Sequence, residues 1–209
     1  NPKLGIIITS VDERTENQCI ENFKTINKKD IHLIKNVFPA IAAFKKVCEI
    51  AIMNKYDFIF NIDADVLLFN KWPDVINKEI QQDKNFFLKT FTIHDKYLGL
   101  VDKGNKLYNC KYFKQLLIKI NQNYNTILKS PKPMGFTNRY INDGLQVDGK
   151  NRPEGTENGY IENVQLEEPI GIHGYEQYYI DIYYRFYLQK IRYRNFKFKN
   201  INYNFLNEK

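Results

Sequence analysis

Two acidic residues, Asp63 and Asp65, flank Ala64 at the end of the apolar run from Tyr56 to Ile62. In an extended strand, residues two apart point to the same side, so the two carboxylates are expected to converge where the strand leaves its sheet. Like charges that close repel each other unless a cation or a proton sits between them. A divalent ion that also holds a phosphate resolves the repulsion, which makes Asp63 and Asp65 candidate metal ligands. Carboxylate oxygens suit Mg2+ or Mn2+. A plainer use of Asp-x-Asp, solvating a strand end, stands beside that chemistry.

The elements that must position this pair alternate in type. Leu4 to Thr9 is a continuous β-branched run and reads as a buried first strand. Thr15 then reads as the cap of a helix running to about Ile26, and Ile31 to Ile34 as a second strand. Pro39 opens a helix with Ile41, Phe44, Val47, Cys48, Ala51 and Ile52 at helical spacing. The strand ending in Asp63 follows. Strand, helix, strand, helix, strand predicts an α/β domain with a mainly parallel central sheet between helical layers.

Farther on, the spacing predicts a helix from Trp72 to about Gln82, a strand from Phe86 to Phe91 and a helix from Asn109 to Ile120. From Ser130 to Glu168 the sequence is rich in Gly, Pro and Asn and reads as a binding loop or lid. Tyr175 to Phe205 reads as a helix with an aromatic tail. Such aromatic density marks a packing face, and it also suits docking to a further domain of a longer chain. In open sheets of this kind, ligands bind at the carboxyl ends of strands near a topological switch point. The loop after Thr9, the Asp63/Asp65 pair and the segment after Phe91 are all expected on that edge.

Composition sets the class. With 209 residues, 43% of them hydrophobic, the chain suffices for one core and is short for two. One domain over residues 1–209 is expected. The net charge of +7 favours anionic partners, but no block of like charges marks a nucleic-acid tail, and no nucleic-acid partner is expected. Cys19, Cys48 and Cys110 are far apart and form no zinc or disulfide pattern, which fits a reducing, cytoplasmic compartment, that of a host cell if the protein is viral. No apolar run is long enough to span a membrane.

With Asn61-Ile62-Asp63-Ala64-Asp65-Val66-Leu67-Leu68-Phe69 after two strand–helix units, the chain resembles the GT-A glycosyltransferases, most closely the glycogenin-like retaining family. Lys45 and Lys46 stand where that family has lysines on the helix before the motif. Asn142-Asp143-Gly144-Leu145 partly matches its Asp-Gln-x-x-Leu-Asn segment, and Gly171-Ile172-His173-Gly174 resembles its late His segment. The chain departs from the pattern at Gly144, where the family has Gln, and at Tyr175-Glu176-Gln177, where it has Lys-Pro-Trp. The resemblance implies a metal-dependent enzyme that moves a sugar, with retention, from a UDP-sugar to a glycan or glycoprotein acceptor, with a nucleotide-binding half over about residues 1–105 and an acceptor-side half over about 106–209.

It also implies roles. His173 becomes the third metal ligand beside Asp63 and Asp65, which tips the choice toward Mn2+. Thr9, Ser10 and Asp12 lie where the fold holds the nucleoside, Arg14 could reach a phosphate, and Ala64 lies in the same donor site. Lys46 is a second candidate phosphate contact, with a solvated helix face as its alternative. Asp143, Glu154 and Glu157 are the candidates for acceptor-side chemistry, which requires a base within reach of the acceptor hydroxyl. His32 reads as structural, and His94 as either a sugar contact or a loop residue. Two other classes stay open: a haloacid-dehalogenase-like phosphatase with Asp63 as nucleophile, and a non-catalytic nucleotide- or glycan-binding module.

Overall fold

Successive isoleucines of β1 (Leu4–Ser10) belong to two different cores. Ile6 and Ile8 pack on one side and Ile7 on the other, all fully buried. A strand covered on both faces is what an uninterrupted β-branched run encodes. The protein is described here from a computed structural model, which covers residues 2–82, 86–95, 99–101, 105–129, 161–164, 166 and 168–173.

After β1 come α1 (Glu16–Glu21), β2 (Ile31–Lys35), α2 (Ala40–Asn54), β3 (Phe58–Asp63), β4 (Val66–Leu68) and α3 (Trp72–Gln82). The chain continues through β5 (Leu88–Phe91), β6 (Ile93–Asp95), β7 (Gly99–Val101), β8 (Asn105–Asn109), α4 (Phe113–Lys129), β9 (Ile161–Val164) and β10 (Gly171–His173). Six strands form the main sheet in the order β2-β1-β3-β8-β5-β9, parallel except for β8. A smaller sheet has the order β4-β10-β6-β7.

Helices cover both faces of the main sheet. On one side Cys19, Phe23, Trp72, Ile76 and Ile80 pack on Ile6, Ile8, Phe58, Phe60 and Ile62. On the other, Ile41, Phe44, Val47, Cys48 and Ala51 of α2 and Phe113, Leu116 and Ile120 of α4 pack on Ile7, Ile59 and Tyr108. Each fully buried Ile or Phe in these layers contributes about 1.5–3 kcal/mol. The expected α/β/α arrangement is therefore the observed one. Among the described residues no helix is long and apolar enough to cross a membrane.

Local differences from the sequence reading have physical causes. The first helix stops at Glu21, after which backbone bonds shorten to Asn22→Cys19, Phe23→Ile20 and Lys24→Glu21, a run of tight turns. Thr15 stands at the cap position without capping, because its hydroxyl donates to the carbonyl of Ala64 at 2.8 Å. Asn109 ends a strand instead of starting a helix. Its side chain accepts from Lys111 N and nucleates a single turn over Cys110–Tyr112 before α4.

Candidate functional site

The switch point of the main sheet lies between β1 and β3. From β1 the chain crosses to β2 on one side, then returns past β1 to β3 on the other. The crevice that opens at such a reversal is where α/β sheets bind ligands. The parallel register pairs Thr9 with Asp63, so both residues sit at the carboxyl ends that flank it. The strand-end reading of Asp63 and the ligand-edge reading thus meet at one place.

Thr9 Oγ1 donates to Asp63 Oδ1 at 2.7 Å, and Lys106 Nζ lies 3.6 Å from Asp63 Oδ2. Ala64 N donates to Thr9 O at 2.9 Å, which extends the β1–β3 pairing one residue past the strand. Asp65 is placed differently from the sequence expectation. The extended backbone ends at Asp63, and Ala64 and Asp65 form a turn before β4, so the period-two rule does not act on the pair. Both carboxylates still act on one neighbour, the Cys19 thiol. Burial, then the nearby carboxylates of Asp65 and Asp63, push the Cys19 thiol up to about 12, and it stays a neutral thiol at physiological pH.

β10 brings the late histidine alongside. It pairs antiparallel with β4, setting His173 opposite Val66, the residue after Asp65. The approach is close because residue 171 lacks a side chain: a Cβ there would come within 2.6 Å of the Leu67 carbonyl oxygen. On its other edge β10 pairs with β6. That neighbour supplies Asp95, whose Oδ2 lies 2.7 Å from His173 Nδ1, with the Asp95 side chain only 2% exposed. A carboxylate holding one ring nitrogen fixes the imidazole and its tautomer, the arrangement typical of metal-binding and catalytic histidines.

The loop after β1 is held by its own network. Glu13 is buried and accepts from Val11 N at 2.6 Å and from Ser10 Oγ at 2.9 Å, and Ser10 Oγ also contacts Glu16. Asp12 adopts φ 67°, a conformation uncommon outside glycine, and so does Asn36 at φ 54°. Each stabilises the other: Asn36 Nδ2 donates to Asp12 Oδ2 at 2.6 Å, and Lys35 bridges Asp12 and Glu16 at 3.0 Å. The Asn36 hydrogen bond, with Lys35 beside it, holds the Asp12 carboxyl below its usual range. Arg14 is exposed in this loop and forms no ion pair with a described residue.

Not every candidate is drawn to the crevice. Lys46 is exposed on α2 and makes no ion pair with a described residue, while Lys45 leans toward Glu49 and the Tyr124 ring. His32 Nε2 lies 2.9 Å from the Tyr56 hydroxyl at the far edge of the sheet, a structural placement. His94 is exposed on β6, opposite Ile172. Asp143, Glu154 and Glu157 lie outside the described residues. Among the described residues, no three His, Cys, Asp or Glu side chains are gathered closely enough to hold a metal ion. Asp63 is turned to Thr9 and Lys106, and His173 Nδ1 to Asp95.

Three residues were missed in the sequence. Asp95 and Glu13 are acidic residues in short polar stretches of the sequence, with no spacing that marks them. Lys106 carried no signal at all, since it sits on a strand that the sequence reading did not contain. Beside it, Asn105 is fully buried; its Oδ1 accepts from Phe91 N at 3.1 Å, and its Nδ2 has no partner among the described residues.

No family model and no curated protein matches the sequence. Solved structures do. The chain is similar to a cytidylyltransferase from Leptospira borgpetersenii serovar Hardjo-bovis at 12% identity and TM-score 0.51, covering 97% of this chain and 100% of that one. It is also similar to a glycosyltransferase involved in the glycosylation of the major capsid of PBCV-1, at 11% identity and TM-score 0.48, covering 82% and 93% of the two chains. A third is CMP:2-keto-3-deoxy-manno-octonic acid synthetase complexed with CTP, at 10% identity and TM-score 0.46, covering 90% and 99%. At these identities the likeness concerns the fold, which is GT-A-like and Rossmann-like.

Proposed function

We propose that this chain is a metal-dependent glycosyltransferase. It moves a sugar from a nucleoside-diphosphate donor, with UDP as the preferred nucleotide, to a hydroxyl of a glycan or glycoprotein. Retention of configuration comes with the family resemblance. One observation carries the reading: Asp63 ends a central strand at the switch point, while His173, braced by buried Asp95, pairs with the residue that follows Asp65.

Asp63, Asp65 and His173 are the residues that would hold Mn2+, or Mg2+ in its place. Their donor types suit such an ion, two carboxylates and an imidazole oriented through Nδ1 by Asp95, and the three would have to draw closer together to share it. Bound there, a divalent cation would offset the negative charge that develops on the diphosphate as the sugar–phosphate bond breaks. The chain's own residues supply the rest. Thr9 orients the Asp63 carboxylate through a 2.7 Å hydrogen bond. The braced loop of Ser10, Asp12 and Glu13 forms one wall of the crevice for the nucleoside, with Arg14 exposed at its rim for a phosphate.

Asp95 acts through His173, and its replacement separates positioning from bulk structure. Asp95→Asn keeps the shape but loses the charge, and is expected to weaken Mn2+ affinity about 10- to 100-fold, as measured by titration calorimetry with Mn2+ alone. Unchanged affinity would remove His173 from the metal site.

The reaction itself is tested by incubating the protein with UDP-glucose and other nucleotide-sugars, with Mn2+ or with EDTA. Manganese-dependent release of UDP and free sugar, the slow hydrolysis expected without an acceptor, supports the reading. Release of pyrophosphate from CTP and a sugar substrate would assign the chain to nucleotidyl transfer instead.

A further inference from the structure

The net charge of +7 is not spread evenly over the fold. At the carboxyl ends of β1 and β3, Asp12, Glu16, Asp63 and Asp65 gather beside the crevice. The opposite edge, where β1, β2 and β3 begin, is lined by lysines. Lys3 precedes β1, Lys28 and Lys29 lie in the helical turn that leads into β2, and Lys55 joins α2 to β3. All four are exposed.

One buried ring ties this edge together. Tyr56 is buried, Lys3 Nζ lies 4.6 Å from the centre of its ring, and its hydroxyl is 3.3 Å from the Lys29 carbonyl oxygen. Lys3 Nζ also donates to Asn54 O at 2.8 Å, at the end of α2. The residue before Asn54 is Met53, which at 75% exposure is the most exposed large apolar side chain among the described residues. These contacts set Met53 in the midst of the lysines. The acids of the same edge are engaged elsewhere: Asp57 Oδ2 accepts from Lys3 N at 2.7 Å, and Asp30 Oδ1 from the Tyr56 hydroxyl at 3.0 Å. Lys28, Lys29 and Lys55 make no ion pair with a described residue.

We infer that this basic edge of the sheet docks the protein on an anionic bilayer surface, with Met53 entering the headgroup region and the lysines facing the lipid charges. Unmatched ammonium groups around an exposed apolar side chain complement a surface that is negative outside and apolar beneath. A nucleic acid is the poorer fit. The described residues of this edge offer no arginine fork for phosphate and no exposed aromatic ring on which a base could stack. The inference does not depend on the metal site. Docked this way, the crevice at the opposite edge of the sheet faces away from the bilayer.

Cosedimentation of the full chain with vesicles tests it. Binding is expected to vesicles of phosphatidylcholine with phosphatidylserine, to weaken as salt is raised, and to be absent with phosphatidylcholine alone. A lysine at such a surface is worth about fivefold in affinity, so Lys29→Gln with Lys55→Gln should weaken binding about 25-fold. Met53→Ser, which leaves the charge unchanged, should weaken it about 3- to 10-fold. Lys45→Gln with Lys78→Gln removes the same charge from α2 and α3 and should stay within about 2-fold of wild type. Equal losses in the two double variants would reduce the effect to net charge and overturn the inference. So would binding that ignores phosphatidylserine, no binding at all, or a Met53→Ser variant that binds like wild type. Retention of a DNA duplex at salt that releases the vesicles would give the edge to a nucleic acid instead.

Discussion

Asp65→Asn is expected to lower turnover of a UDP-sugar by roughly 10²- to 10³-fold, with little change in unfolding temperature. The substitution keeps the size and planarity of the side chain and removes its charge. Asp65 lies in a partly buried turn outside both cores, so the exchange leaves the packing of the fold intact. The transition state depends on the charge, because the leaving diphosphate gains negative charge just when the ion must be held most firmly. Asp63→Asn is a less clean experiment: Asp63 also accepts from Thr9 and pairs with Lys106, so its loss disturbs the β1–β3 edge as well. Donor hydrolysis rates for wild type and Asp65→Asn, compared at matched thermal stability, check the prediction. Equal rates would return Asp65 to the role of a solvated turn.

The largest stability effect belongs to a different pair. Lys89 Nζ lies 2.8 Å from Glu79 Oε2, with side chains only 4% and 11% exposed, and it also sits 4.9 Å from the centre of the Phe86 ring. Removing one partner of a buried ion pair leaves the other charge desolvated and unmatched. Lys89→Met is therefore expected to cost about 3–5 kcal/mol, lowering Tm by roughly 10 °C or more. Replacing both partners, Lys89→Met with Glu79→Leu, should recover much of that loss, since no uncompensated charge remains. Thermal and denaturant unfolding of the single and double variants measure both values; a single variant as stable as wild type would show the pair to be solvated. The position matters for the site as well. Lys89 is on β5, which leads through Thr92 into β6 and Asp95.

The first 65 residues were legible because each element there is encoded locally. Leu4 to Thr9 and Tyr56 to Ile62 are unbroken apolar runs, and Ile41 through Ala51 repeats at helical spacing, so strand, helix and order follow from neighbours in sequence. That order alone puts Thr9 beside Asp63. What stayed hidden depends on distant partners. β8 opens and closes with Asn105 and Asn109 and carries a lysine, which reads as a loop; it becomes a strand because β3 and β5 pair with it from both sides. Asp95 stands next to His94 in the sequence, but its meaning comes from His173, 78 positions away. Thr15 has the composition of a helix cap and spends its hydroxyl on Ala64 instead. The period-two argument for Asp65 failed at one residue, where the strand turns.

The central claim is that Asp63 and Asp65 hold a divalent ion through which a nucleoside diphosphate binds. Calorimetric titration of UDP into the wild-type protein, in Mn2+ and again in EDTA, tests it most directly. Binding in Mn2+ that vanishes in EDTA is the predicted result. Equal binding in both, or none in either, would contradict it and leave the two carboxylates as the polar end of a strand.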